Sequence, residues 1–184
     1  LVRAELVSED VAAAGAGTRI LDAAERAFGR FDVVFANAGY AIERPAHLTQ
    51  EVELREMFET NFFSCVDLCT EAARRLEAAG RGGHLLMCSS CASKFTLPSF
   101  GVYSASKAAQ AHVARAMSYE LASKGILVSS VHPVTTRTEF FEVARERGGP
   151  EVAAQYGIHS MSRFFVQRPE KVARAISRSI GRRR

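Results

Sequence analysis

Tyr103 and Lys107 stand four positions apart in Tyr103-Ser-Ala-Ser-Lys107, inside a stretch that reads as helix. Residues at i and i+4 are neighbours on a helix surface, so the two side chains share a face. An ammonium held beside a phenol stabilises the phenolate and draws its pKa down from about 10 toward the working pH. The pair is therefore a candidate acid/base. On its own the spacing is common, and it equally describes the start of an amphipathic helix with a solvated lysine. Three further groups change its meaning. Ser90 lies 13 positions before Tyr103, just beyond the apolar run His84-Leu-Leu-Met-Cys88, which reads as a buried strand delivering hydroxyls at its C-terminal end. Phe31-Asp-Val-Val-Phe35 is a second such run, closed by Ala36-Asn37-Ala38-Gly39, a small-residue turn where a ligand can approach the backbone. Asn61 follows in Glu59-Thr-Asn-Phe-Phe63.

In order and spacing, Asn61, Ser90, Tyr103 and Lys107 resemble the catalytic tetrad of the short-chain dehydrogenase/reductase family, in its compact single-domain branch. Asn37-Ala38-Gly39 resembles that family's Asn-Asn-Ala-Gly signature, with Ala36 at the first Asn. The resemblance runs from about Asp10 to the C-terminus. It implies a Rossmann-like, doubly wound parallel α/β sheet and hydride transfer between an alcohol or carbonyl substrate and NAD or NADP. By the same resemblance Tyr103 is the proton donor or acceptor, and Ser90 orients and polarises the substrate oxygen. Lys107 lowers the tyrosine pKa and hydrogen-bonds the nicotinamide ribose. Asn61 holds a water linking Lys107 to solvent, or else serves as a helix cap or kink. Asp10 resembles the acid that contacts the adenine amine, and Asn37, Ala38 and Gly39 would line the adenosine side. Pro133 and Thr138 belong to the loop against the nicotinamide, where Val134 replaces the family's glycine. A catalytically silent dinucleotide-binding or scaffold protein on the same fold is the alternative. An epimerase or dehydratase of the extended branch is another, against which the short chain and the Asn-Ala-Gly turn count.

The elements that must position these groups alternate between apolar strands and amphipathic helices, the pattern of an α/β fold with a mainly parallel sheet. Strands are predicted near residues 4–9, 31–36, 84–89 and 126–131. Helices are predicted over 18–28, after a Thr49 cap with Glu51 and Glu53 in the first turn, over 61–79, over 101–123 and over 170–180. Residues 134–166 hold Phe140, Phe141, Tyr156, Met161, Phe164 and Phe165, the composition of a lid over an apolar substrate or of ordinary packing.

The resemblance also implies a glycine-rich phosphate turn after a first strand, on which the pyrophosphate would rest. Gly15-Ala-Gly17 is a poor candidate, lacking a third glycine and a well-placed strand. The expectation is a chain that starts after the first two β-α units, roughly 60 residues. Its strand at 31–36 would then be an exposed apolar edge, and the isolated chain poorly soluble. The acid or arginine that selects NAD or NADP would lie in the same absent region.

At 184 residues, 47% hydrophobic and 24% charged, the chain has the composition of one globular domain, and the resemblance implies that this domain, 1–184, is partial at its N-terminus. No apolar run approaches the ~20 residues of a membrane span, and the N-terminus lacks a signal-peptide layout, so a cytoplasmic location is the default. The net charge of +4 sits partly in Arg182-Arg183-Arg184 and without interleaved aromatics, which argues against nucleic acid as a partner. Of the four cysteines, Cys65 and Cys69 fall on a predicted helix and Cys88 inside a predicted strand, so the pairs Cys65/Cys69 and Cys88/Cys91 lack metal-binding turns and no metal is expected. The alanine-rich helices 61–79 and 101–123 suit a homo-oligomer interface, by analogy with the family.

Overall fold

A computed structural model describes residues 3–95, 97–156 and 166–181. Its centre is a three-stranded parallel sheet of β1 (Val33–Ala36), β2 (Gly83–Cys88) and β3 (Ile126–Val131), in spatial order β1-β2-β3. Val34 pairs with Leu85, and Leu85 with Val128. Such neighbours need crossover connections. The β1–β2 crossover comprises α2 (Glu51–Phe58), a π-helical turn (Glu59–Phe63) and α3 (Ser64–Ala78). The β2–β3 crossover is α4 (Gly101–Glu120). Ahead of β1 runs α1 (Ala16–Phe28), and α7 (Pro169–Ser179) follows the described part of the β3 connection.

One sheet face carries Val34, Ala36, Leu85, Met87, Ile126 and Val128 into a core with Cys65, Cys69, Ala72 and Leu76 of α3 and Ala114 and Met117 of α4. The opposite face of β2 is buried too, through His84 and Leu86, which is why β2 reads as an unbroken apolar run. The backbone N–H of Gly181, just past α7, donates to His84 Nδ1 at 3.1 Å, while His84 Nε2 lies 2.9 Å from Ser129 Oγ. These bonds fasten the C-terminal end of α7 to the sheet. On the outer strand, Val33 and Phe35 remain 40% and 37% exposed, so among the described residues β1 is the apolar edge that its sequence predicts.

Several expectations change. Residues 4–9 form no strand, because no neighbouring strand offers them a ladder; Glu9 instead pairs with Arg19 of α1 at 2.8 Å. Gly15-Ala-Gly17 makes no phosphate turn. Gly15 caps α1 at φ +73°, and Gly17 lets α1 close on α3, where a Cβ would come within 3.0 Å of the Leu68 Cα. Gln50 rather than Thr49 caps α2, its N–H donating to Glu53 Oε2 at 2.9 Å. Helix 101–123 divides into α4 and a short 3-10 turn, Ala122–Lys124, before Gly125 at φ +71°.

The predicted lid contains two helices, α5 (Phe140–Gly148) and α6 (Pro150–Tyr156); Met161, Phe164 and Phe165 lie outside the described residues. α5 is strapped to the segment after β1. Glu43 N–H donates to Ala144 O at 2.8 Å, Arg44 Nη2 donates to Gly148 O at 3.0 Å, and the Arg147 guanidinium stacks 4.2 Å from the Tyr40 ring. At Gly148 any Cβ would strike the Glu43 carbonyl at 2.2 Å.

Candidate active site

At the C-terminal end of β2 the chain turns sharply. Ser89 Oγ donates to the Lys107 carbonyl at 2.7 Å, and extended Ser90 caps a single 3-10 turn, Cys91–Ser93, by accepting the Ala92 N–H on Oγ at 3.1 Å. The loop returns through Ser99, at φ +62°, into α4, whose first turns carry Tyr103 and Lys107. Both side chains are buried, 8% and 4% exposed, on the shared face that their spacing predicts. The sequence thus brings Ser90, Tyr103 and Lys107 to one cleft of about 410 Å³ at the C-terminal edge of the sheet. That is where ligands sit in open parallel sheets.

The electrostatics differ from expectation. Burial pushes the Tyr103 phenol up to about 12, opposed by its hydrogen bond with Ser90. The predicted lowering by Lys107 is not seen, since the ammonium turns to the Cys88 carbonyl at 2.7 Å and, more weakly, to Gln110 Oε1 at 3.4 Å. Burial also lowers the Lys107 pKa. Aromatic rings account for the dry phenol: Phe140 of α5 lies 5.3 Å from the Tyr103 ring, and Phe100 lies 6.2 Å away, edge-on.

Asn61 occupies the π turn and is fully buried. Its Nδ2 donates to Tyr40 O at 2.9 Å and to Ser106 Oγ at 3.1 Å, and its Oδ1 accepts the Tyr40 N–H at 2.9 Å. The amide therefore clamps the turn after β1 to α4. Gly39 sits against it: a Cβ there would lie 2.9 Å from Asn61 Oδ1 and 3.1 Å from Lys107 Nζ.

Asn37, Gly39, Pro133 and Thr138 line the cleft. Ala38 and Asp10 do not. The Asp10 carboxylate accepts the Ala12 N–H at 3.0 Å, which makes it a turn residue ahead of α1. Pro133 O accepts the Cys91 N–H at 3.0 Å, and Val134 holds no left-handed backbone, so the loop dispenses with a glycine. The cleft also takes Val172 and Ile176 from α7, as well as Leu97 and Phe100. Sequence reasoning missed these, although the four-residue spacing of Val172 and Ile176 marks an apolar helix face.

The family profile described as short chain dehydrogenase matches residues 2–148. A short-chain type dehydrogenase/reductase of Picea abies is 32% identical over 161 residues, covering 86% of this chain and 58% of its own. L-2,3-butanediol dehydrogenase of Corynebacterium glutamicum is 30% identical over 122 residues, covering 66% of this chain and 47% of its own. A solved short-chain dehydrogenase from Streptomyces avermitilis superposes with a TM-score of 0.76 at 27% identity, over 94% of this chain and 65% of that one. The chain spans about half the length of the curated relatives it matches. With the profile covering most of its length and the parallel sheet presenting Ser90, Tyr103 and Lys107 at one cleft, the chain belongs to the short-chain dehydrogenase family.

Proposed function

We propose that the protein interconverts a secondary alcohol and a ketone on an apolar substrate, with NAD or NADP as hydride carrier and Tyr103 as acid/base. The observation that carries this reading is a polar floor of Ser90, Tyr103 and Lys107 beneath walls of Leu97, Phe100, Phe140 and Phe141. Such walls bury hydrocarbon flanks while the floor meets one oxygen.

The residues present fit the nicotinamide end of a dinucleotide. Gly39 lets the backbone after β1 pack directly against Asn61 Oδ1 and Lys107 Nζ, and among the described residues two of the three Lys107 N–H bonds have protein acceptors, leaving one for a ribose hydroxyl. Asn37, Pro133 and Thr138 line the same cleft. Among the described residues no glycine-rich phosphate turn is formed. When bound, the nicotinamide supplies or accepts the hydride. Tyr103, protonated at neutral pH, donates its proton to the substrate oxygen in reduction and recovers it in oxidation. Ser90 Oγ holds that oxygen by a hydrogen bond, concentrating negative charge where donors await it. Lys107 supplies a buried positive charge beneath the site.

The relative that acts, by its name, on L-2,3-butanediol supports a short secondary alcohol as the smallest substrate to try. The test is nicotinamide absorbance in the purified protein with each dinucleotide, against butanediol, alkyl ketones and aryl ketones. Turnover that disappears in Tyr103→Phe supports the reading. Dinucleotide binding without turnover of any member of the panel would select the silent-protein alternative, which the hydrogen bond of Lys107 to the Cys88 carbonyl, rather than to Tyr103, favours.

A further inference from the structure

His132 follows β3, outside the cleft lining, with its ring beneath the Ser90 turn. Its Nδ1 lies 3.1 Å from the Ser90 carbonyl oxygen and 3.1 Å from Ser93 Oγ, and its Nε2 lies 2.9 Å from Ser130 Oγ. A carbonyl oxygen only accepts, so Nδ1 must carry a proton. Ser93 Oγ already donates to the same carbonyl at 2.6 Å, so its single proton is committed there. In the neutral ring Nε2 is then bare and accepts the Ser130 hydroxyl. Next to this, Cys91 N–H donates to Pro133 O at 3.0 Å. Ser93 N–H donates to the Ser90 carbonyl as well, at 3.0 Å, so the peptide after Ser90 is held from one side by three donors on its oxygen and from the other by its own N–H.

From this geometry we infer that His132 is a positioning residue for Ser90: through an Nδ1–H bond to the Ser90 carbonyl it fixes the direction in which Ser90 Oγ meets the substrate oxygen. The inference rests on the proposed role of Ser90 as the group that holds that oxygen. Ser90 Oγ has one backbone partner, Ala92 N–H. The Ser93 bonds to the Ser90 carbonyl come from within the same short turn, whereas His132 reaches that carbonyl from the end of β3 and so ties the turn to the sheet. A misplaced hydrogen-bond donor at a reacting oxygen slows the chemical step far more than it weakens binding.

Two measurements test it. The first is ¹⁵N NMR of His132 in the purified protein at neutral pH: an Nδ1-protonated ring is expected, and a ring protonated only at Nε2 overturns the inference. The second compares His132→Leu, which keeps bulk but loses both nitrogens, with His132→Asn, whose amide N–H can reach the Nδ1 position. His132→Leu should lower kcat roughly tenfold to a hundredfold with dinucleotide KM unchanged, and His132→Asn should recover most of that loss. Equal kcat losses in both variants, or wild-type kcat in His132→Leu, overturn the inference. A wild-type protein that turns over no alcohol or ketone rejects the proposed activity instead, and the tautomer then still judges the His132 contact.

Discussion

Asn61 engages both backbone polar groups of Tyr40, accepting its N–H on Oδ1 and donating to its C=O from Nδ2, each at 2.9 Å. A side-chain amide used in this way substitutes for a sheet partner. It gives the turn after β1 two bonds that no strand supplies. Asn61→Ala leaves Tyr40 N–H and C=O and Ser106 Oγ with lost partners inside the protein. The expected cost is about 3 kcal/mol of stability, read as a lowered denaturant midpoint at unchanged slope.

Gly39 presses on the same amide and on Lys107 Nζ. Gly39→Ala should cost roughly 1–3 kcal/mol by overpacking, since neither neighbour is a free surface group. The same substitution should weaken dinucleotide binding, because the ammonium has to move. Calorimetric titration with NADH and NADPH measures this directly. Undiminished affinity would show that Lys107 takes no part in holding the cofactor.

Phe140 keeps water from the Tyr103 phenol. Burial is the dominant cause of the raised Tyr103 pKa, so Phe140→Ala should bring that pKa down toward the ordinary value near 10. Ultraviolet titration, with Tyr103→Phe subtracted, reports it. In the wild type, carbonyl reduction should stay flat through neutral pH, where the phenol is protonated. Alcohol oxidation should keep rising into the alkaline range.

His84 has a pKa lowered by burial. Below about 6.5, the value of an exposed histidine, the unfolded chain takes up a proton that the folded chain resists. The stability contribution is therefore complete above that pH and is lost as pH falls through it toward the folded value. Protonation would also cost Nδ1 its bond from Gly181. The thermal midpoint should drop between neutral pH and pH 5 in the wild type and drop less in His84→Gln.

β2 is legible in the sequence because it is a short apolar run bracketed by glycine and serine and buried on both faces, and β3 because Gly125 opens a short β-branched run into it. The meeting of Tyr103 and Lys107 is legible because helix geometry alone decides it. The sign of the Tyr103 shift is not, since it depends on Phe140, 37 positions downstream and placed by the strap between α5 and residues 40–44. Nor are the partners of Lys107, because Cys88 and Gln110 come to it from a strand end and from the next helical turn. Leu6 and Val7 look like strand residues and fail to form one because a strand needs a neighbour as well as a propensity.

The π turn at Glu59–Phe63 keeps one helical stripe in line. Met57, Asn61, Cys65 and Cys69 are all buried and recur every four residues. On a continuous α-helix that period overshoots each turn by about 40°, so the fourth member would have drifted about 120° from the first. The wider winding of the π turn absorbs the drift. Met57 can then face the Phe100 and Tyr103 cluster while Cys69 faces the sheet. Forcing these five residues into ordinary α winding would rotate everything before the turn against everything after. Either the clamp on Tyr40 or the α3 core face would be lost, so the winding of this segment is as strictly constrained as the identity of Asn61.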